Sequence, residues 1–278
     1  MSFSADLHTH TTASDSTVTR EQLIRIASAN GVRYLSITDH DTMVNTGEGL
    51  EGNVYLIPGC ELSARDGKTG RRVHVLCYFP ESTDELEDYF RYMRDERTRV
   101  GKLYLENVSA RYPAVTMEDI IPFMEKSGTI HKSYILDTLR DFGYANRNYK
   151  ALYEELFGKG SQNRGISAEY GDVRDIVRMA HRSGGFVSIA HPSEYDSMEV
   201  TKELITGYPV DGIEVNHPRN KPEDVKILRQ WAYERDLVMT GGTDFHGAHT
   251  VTDDLPGTMG AEEEELRKMF RRIGRDLF

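Results

Sequence analysis

The chain has 278 residues, 28% of them charged, and a formal net charge of −11. That length suits one large α/β domain, or a barrel with an insertion, and the composition is that of an ordinary globular enzyme. The acidic balance argues against tight non-specific binding to duplex DNA, which relies on clustered Lys and Arg, while a small phosphorylated substrate remains compatible with it. No apolar run reaches the roughly 18 to 20 residues of a membrane span. The N-terminus lacks a basic stretch followed by an apolar core, so no signal peptide is expected. Cys60 and Cys77 sit in apolar, strand-like segments and read as buried free thiols of a cytoplasmic protein.

In chain order, seven short apolar runs each carry or lead to a polar residue with ligand chemistry. Residues 4–8 lead to His10, and His8 and His10 point to the same side because strand side chains alternate. Thr19 reads as a helix N-cap with Gln22 three residues on, and Gly31 as the stop of that helix. Residues 34–38 lead to Asp39-His40, and 54–60 lead to Glu61. Residues 73–79 hold His74 within them, and the intervening Asp66-Gly67 predicts a hairpin turn.

Residues 81–168 break this rhythm and show helical spacing, predicted over 84–110, 116–126, 133–142 and 146–160, with a loop at 161–165. Helices are then predicted over 172–182 and 222–235. The runs 186–190, 212–215 and 237–240 lead to His191, to Asn216-His217, and to Asp244 and His246. Alternating strands and helices imply a mostly parallel sheet with its polar ends gathered on one side. Closed into a barrel, the sheet would bring those ends to one rim, where barrel active sites lie.

His8, His10, Asp15, His40, Glu61, His74, His191, Asp244 and His246 are more imidazoles and carboxylates than one metal needs. Mixed N/O ligands suit Zn, Mn or Fe, and the lack of Cys ligands removes a structural zinc site. Glu61 and Asp244 are the natural bridges between two or three ions, which together would clamp a phosphoryl group.

The blocks Asp6-Leu7-His8-Thr9-His10, Ile37-Thr38-Asp39-His40-Asp41, Pro58-Gly59-Cys60-Glu61, Ala190-His191-Pro192 and Gly242-Thr243-Asp244-Phe245-His246 resemble the polymerase and histidinol phosphatase (PHP) superfamily of metal-dependent phosphoesterases. The resemblance spans nearly the whole chain and implies a distorted (β/α)7 barrel, formed by 1–80 and 169–278, with the helical insertion 81–168 capping its rim. It also implies three metal positions: His8, His10, Glu61 and Asp244 at one, Asp15, His40 and His246 at a second, and Glu61, His74 and His191 at a third. Asp15 stands where histidinol phosphatases and polymerase domains commonly carry His. This swap resembles the subgroup acting on nucleotides and ribose phosphates, and its harder oxygen ligand favours Mn over Zn.

Arg97 resembles an arginine of that subgroup that reaches a substrate phosphate. His131, Lys132 and Arg164 are further phosphate-binding candidates, with Lys132 placed at the start of a helix. The expected reaction is direct attack of a metal-activated hydroxide on phosphorus, with His191 or His217 protonating the leaving group. Two or three divalent ions are expected as cofactors, Mn first, then Fe or Zn. The leading substrates are a 3′,5′-bisphosphate nucleotide or short RNA 5′ end, and a cyclic ribose phosphate. Histidinol phosphate is the alternative within the class, and amide hydrolysis on a similar rim is the alternative outside it.

Overall fold

The computed structural model describes residues 3–144, 149–250 and 252–277. Each of the seven apolar runs forms a strand: β1 (Ala5–Thr9), β2 (Tyr34–Ile37), β4 (Val54–Arg65), β5 (Arg72–Tyr78), β6 (Phe186–Ile189), β7 (Gly212–Asn216) and β8 (Val238–Gly241). They pair in that order into one barrel-shaped sheet. A short extra strand, β3 (Gly49–Glu51), pairs antiparallel with β4 off this path. The sheet nearly closes where the segment after β8 meets β1. There Asp244 N–H donates to the His8 carbonyl at 2.8 Å, and His10 N–H donates to the Phe245 carbonyl at 3.0 Å.

Pairing is parallel except around the hairpin, where β5 runs antiparallel to both β4 and β6. Asp66 starts the connecting turn: its carbonyl accepts from Gly70 N–H at 2.7 Å, and its carboxylate accepts from Thr69 Oγ1 at 2.5 Å. β4 continues beyond Glu61 to Arg65 because its pairing with β5 continues, through Ser63–His74 to Arg65–Arg72. Since β5 runs backwards, its first residues lie at the rim where the other strands end. His74 therefore reaches the rim from inside a strand.

The predicted helices form as α1 (Arg20–Ala29), α2 (Asp84–Arg111), α3 (Met117–Ser127), α4 (Lys132–Asp141), α5 (Tyr149–Phe157), α6 (Val173–Arg182) and α8 (Pro222–Glu234). The start of the predicted 146–160 helix falls on 145–148, outside the described residues. Thr19 caps α1 in the reciprocal arrangement expected: Gln22 N–H donates to Thr19 Oγ1, and Thr19 N–H donates to Gln22 Oε1. Two helices, α7 (Met198–Gly207) and α9 (Glu263–Arg272), go beyond the predicted elements.

The outer faces of β4 to β7 bury Leu62, Val75, Val187 and Ile213 against α6, α7 and α8. Cys60 and Cys77, cross-strand neighbours in this layer, are buried and free. Helices α2 to α5 share a separate core that includes Val100, Ile120, Ile135, Leu139 and Leu156. Hydrogen bonds tie this helical layer to the barrel: the Tyr89 hydroxyl donates to the Ser63 carbonyl, and the Tyr134 hydroxyl to the Ser14 carbonyl.

Candidate metal centre

β1 delivers His8 and His10 to the rim, both fully buried. Their Nε2 atoms lie 3.3 and 3.4 Å from Glu61 Oε2, and 3.4 and 3.1 Å from Asp244 Oδ1. A metal with ligands at about 2.0–2.2 Å sets neighbouring ligand atoms roughly 3.0 to 3.5 Å apart. The four side chains therefore have the spacing of one coordination shell. A second group joins His246 Nε2 to Asp15 Oδ1 at 3.1 Å and His40 Nε2 to the same oxygen at 3.9 Å, and His10 lies beside it with its ring 4.0 Å from that of His246. In the third, Glu61 Oε1 lies 2.8 Å from His74 Nδ1 and 3.0 Å from His191 Nε2. His40 also faces this side, with Nδ1 3.0 Å from Glu61 Oε2. Glu61 thus stands between all the imidazoles expected to share it.

Many of these atoms are buried without a hydrogen-bond partner: His8 Nε2, His10 Nε2, Asp15 Oδ1, His40 Nδ1, Glu61 Oε2 and His191 Nδ1. Buried polar atoms are nearly always satisfied. A convergent set that is not satisfied by the protein fits divalent ions, by donor type as well as spacing. The protonation equilibria agree. Burial alone would depress His246, but the Asp15 and Asp244 carboxylates outweigh it and raise it to about 10. Burial is likewise outweighed at His191, raised to about 9 by Glu194, Glu61 and Glu214. Burial itself dominates at His74, pushed down to about 4.

Backbone strain concentrates here. Asp41, His191 and Asp244 have φ of 52°, 23° and 53°, in the region that disfavours side chains. The Asp244 turn is held by Asp6, whose carboxyl accepts from Thr243 Oγ1 at 2.7 Å and from Thr243 N–H at 3.1 Å. Burial raises Asp6 to about 7. Asp6 is thus a positioning residue, although it opens the first motif.

Other supporting residues lie outside the nine ligand candidates. Glu214, fully buried on β7, lies 3.0 Å from His8 Nδ1 and accepts from His191 N–H at 2.9 Å. A carboxylate that fixes the far nitrogen of a ligating imidazole sets its tautomer and orientation. Its signal was a lone acid in the apolar run 212–215. Glu194 lies 3.5 Å from His191 Nδ1 and pairs with Arg219. Asp39 accepts from Thr11 N–H, Thr11 Oγ1 and Ser14 Oγ, fixing the loop after β1.

The predicted phosphate-binding residues divide. Arg97, from α2, reaches the rim and pairs with buried Asp41 at 2.7 Å while donating to Ser63 Oγ at 2.6 Å. His131 Nδ1 lies 3.9 Å from Asp15 Oδ2, and burial pushes its pKa down to about 3. Lys132, the next residue, turns away into a group of aromatic rings. Arg164 is exposed on the loop after α5. His217 Nε2 lies 3.6 Å from Asp244 Oδ2, at the edge of the cluster.

No family model matches the chain. A phosphoribosyl 1,2-cyclic phosphate 1,2-diphosphodiesterase of Eggerthella lenta is 32% identical over 87% of this chain and 94% of that protein. A 5′-3′ exoribonuclease of Haemophilus influenzae is 27% identical over 87% of this chain and 89% of that protein. A solved structure from Bifidobacterium adolescentis, described as a metal-dependent phosphoesterase, superposes with a TM-score of 0.84 at 26% identity, covering 97% of this chain and 98% of its own. Motif, barrel and likeness along nearly the whole chain agree, and the chain belongs to the PHP superfamily of metal-dependent phosphoesterases.

Proposed function

We propose that this enzyme hydrolyses small ribose or nucleotide phosphates, with a cyclic ribose phosphate as the first candidate and a 3′,5′-bisphosphate nucleotide as the second. The observation that carries the reading is the rim cluster, in which unsatisfied His, Asp and Glu atoms converge beside Arg97 and His131. The likeness to a protein named for a cyclic phosphoribosyl substrate sets the order of the candidates. Helices α2 to α5 act as the substrate cap. An amide substrate would give Arg97 and His131 no anion to meet.

His8, His10, Asp15, His40, Glu61, His74, His191, Asp244 and His246 would hold two or three divalent ions, with Mn preferred because Asp15 adds a hard oxygen. Such ions, when bound, supply Lewis acidity and an activated water to the phosphoryl group. Arg97 orients a phosphoryl oxygen, held ready by Asp41 and Ser63. His191 is committed to Glu61 through Nε2. His217 is therefore the proton donor to the leaving alkoxide.

The test is metal analysis followed by phosphate release from cyclic ribose phosphates, bisphosphate nucleotides, histidinol phosphate and short 5′-phosphorylated RNA. The expected result is bound Mn and fastest turnover on a ribose phosphate. Preference for histidinol phosphate, or no turnover of any ester by Mn-loaded protein, would overturn the assignment.

A further inference from the structure

The β4–β5 hairpin carries a second group of side chains outward from the rim cluster. Strand alternation puts Glu61, Ser63 and Arg65 on one face of β4, and the register sets His74 opposite Ser63 and Arg72 opposite Arg65. Two arginines are thus directly opposed, an arrangement of like charges that weakens a hairpin. Both guanidinium groups lie over Tyr170, 5.6 and 5.8 Å from its ring centre, and Arg72 also lies 5.7 Å from the ring centre of Tyr195. Tyr195 in turn stands edge-on to His74 and His191, which joins this group to the metal ligands. Lys132, from the first turn of α4, lies 5.0 Å from the ring centres of both Tyr104 and Phe157.

All three cations are half-buried. Among the described residues none of them has a carboxylate partner, and Arg65 Nε is buried with no hydrogen bond at all. Among the described residues, the one side-chain hydrogen bond made by these three cations runs from Arg65 to Ser167 Oγ at 3.2 Å. Burial and the charge of Arg72 push Lys132 down to about 8. Arg97, one step nearer the metal ligands, has its carboxylate, Asp41. Burying unpaired cations is costly, and aromatic faces offset only part of it. An anion entering between them removes that cost.

Resting on the phosphoesterase reading above, we infer that Arg65, Arg72 and Lys132 form a second anion subsite, which takes the terminal, non-reacting phosphate of a ribose carrying two phosphoryl groups. Arg72 lies two residues along β5 from His74, about 6.6 Å at the ordinary strand rise, the scale of one pentose unit. The rings of Tyr104 and Phe157 flank Lys132, and the inferred ligand is a chain end rather than the next link of a polymer. Paired guanidinium groups match the oxygens of a terminal phosphate.

The metal-loaded enzyme is assayed on ribose 1,2-cyclic phosphate with and without a 5-phosphate, on adenosine 3′,5′-bisphosphate and adenosine 3′-phosphate, and on a short 5′-phosphorylated RNA. Arg72→Gln and Lys132→Gln are each expected to lower the ratio of kcat/KM for the doubly over the singly phosphorylated ester by about tenfold or more, mainly through KM. Arg72→Lys recovers part of the ratio. The substrate-free Arg72→Gln protein unfolds no earlier than the wild type, because a like-charge pair has been removed. An unchanged ratio overturns the subsite, as does a lower Tm with both esters slowed in proportion. An equal loss on RNA overturns the terminal phosphate. Wild-type protein that hydrolyses none of these esters instead overturns the phosphoesterase reading, and the subsite with it.

Discussion

In the proposed mechanism His217 is the proton donor, and one hydrogen bond suits it to that role. Its Nδ1 accepts from Arg219 N–H at 3.2 Å, so the neutral ring carries its proton on Nε2, the atom facing Asp244. An Nε2–H cannot ligate a metal but can donate to a leaving oxygen. His217→Gln should therefore slow esters with alkoxide leaving groups by about 10²–10⁴. It should slow p-nitrophenyl phosphate far less, since that leaving group needs no proton. Equal losses on both, measured by steady-state kinetics, would remove His217 from the acid role. At this scale the sequence exposed the residues whose neighbours form motifs. It hid Glu214, because a single acid in an apolar strand looks the same whether it faces a cluster or a hydrogen-bonded core. Asp41 stands in a motif, but its pairing with Arg97, 56 residues away, was not legible.

Among the elements, β8 and β1 must approach unusually closely for Asp244 to reach His8 and His10. Gly242 makes this possible: a Cβ there would lie 2.4 Å from both the backbone N and the Cβ of His8. Gly242→Ala should cost about 1–3 kcal/mol of stability, read as a lower denaturation midpoint, and loosen the metal site as β8 shifts. A variant with wild-type midpoint and metal affinity would show that this closure does not position the site. The strands were legible because apolar runs ended in ligand residues. β3 escaped because it spans only Gly49–Glu51, too short for periodicity. In α9 the stripe is just Leu266, Met269 and Phe270 in an otherwise charged segment. The hairpin was signalled by Asp66-Gly67, but its further consequence, the opposed Arg65 and Arg72, required the register.

Across the whole molecule, a net charge of −11 is concentrated partly in a rim built to receive cations. Each divalent ion returns two positive charges there. Without metal, protons take part of that role, since carboxylates hold His246 at about 10 and His191 at about 9 despite burial. As ligands these rings must be neutral, so metal loading releases protons and weakens as pH falls. Affinity should rise about tenfold per pH unit for each proton displaced. Calorimetric heats of metal binding should also vary with the ionisation enthalpy of the buffer. Affinity independent of pH between about 6 and 8, below both raised values, would show that these imidazoles do not bind the metal.

Glu61 joins the first and third ligand groups, and its Oε2 also lies 3.0 Å from His40 Nδ1 of the second. Metal content and phosphate release, measured together on wild type and Glu61→Ala, therefore test the shared metal centre. The expected result is about two or three divalent ions per wild-type chain with phosphoesterase turnover, and for Glu61→Ala at least one ion fewer and no measurable turnover. Glu61→Ala protein with wild-type metal content and rate would show that Glu61 does not hold the metal centre together.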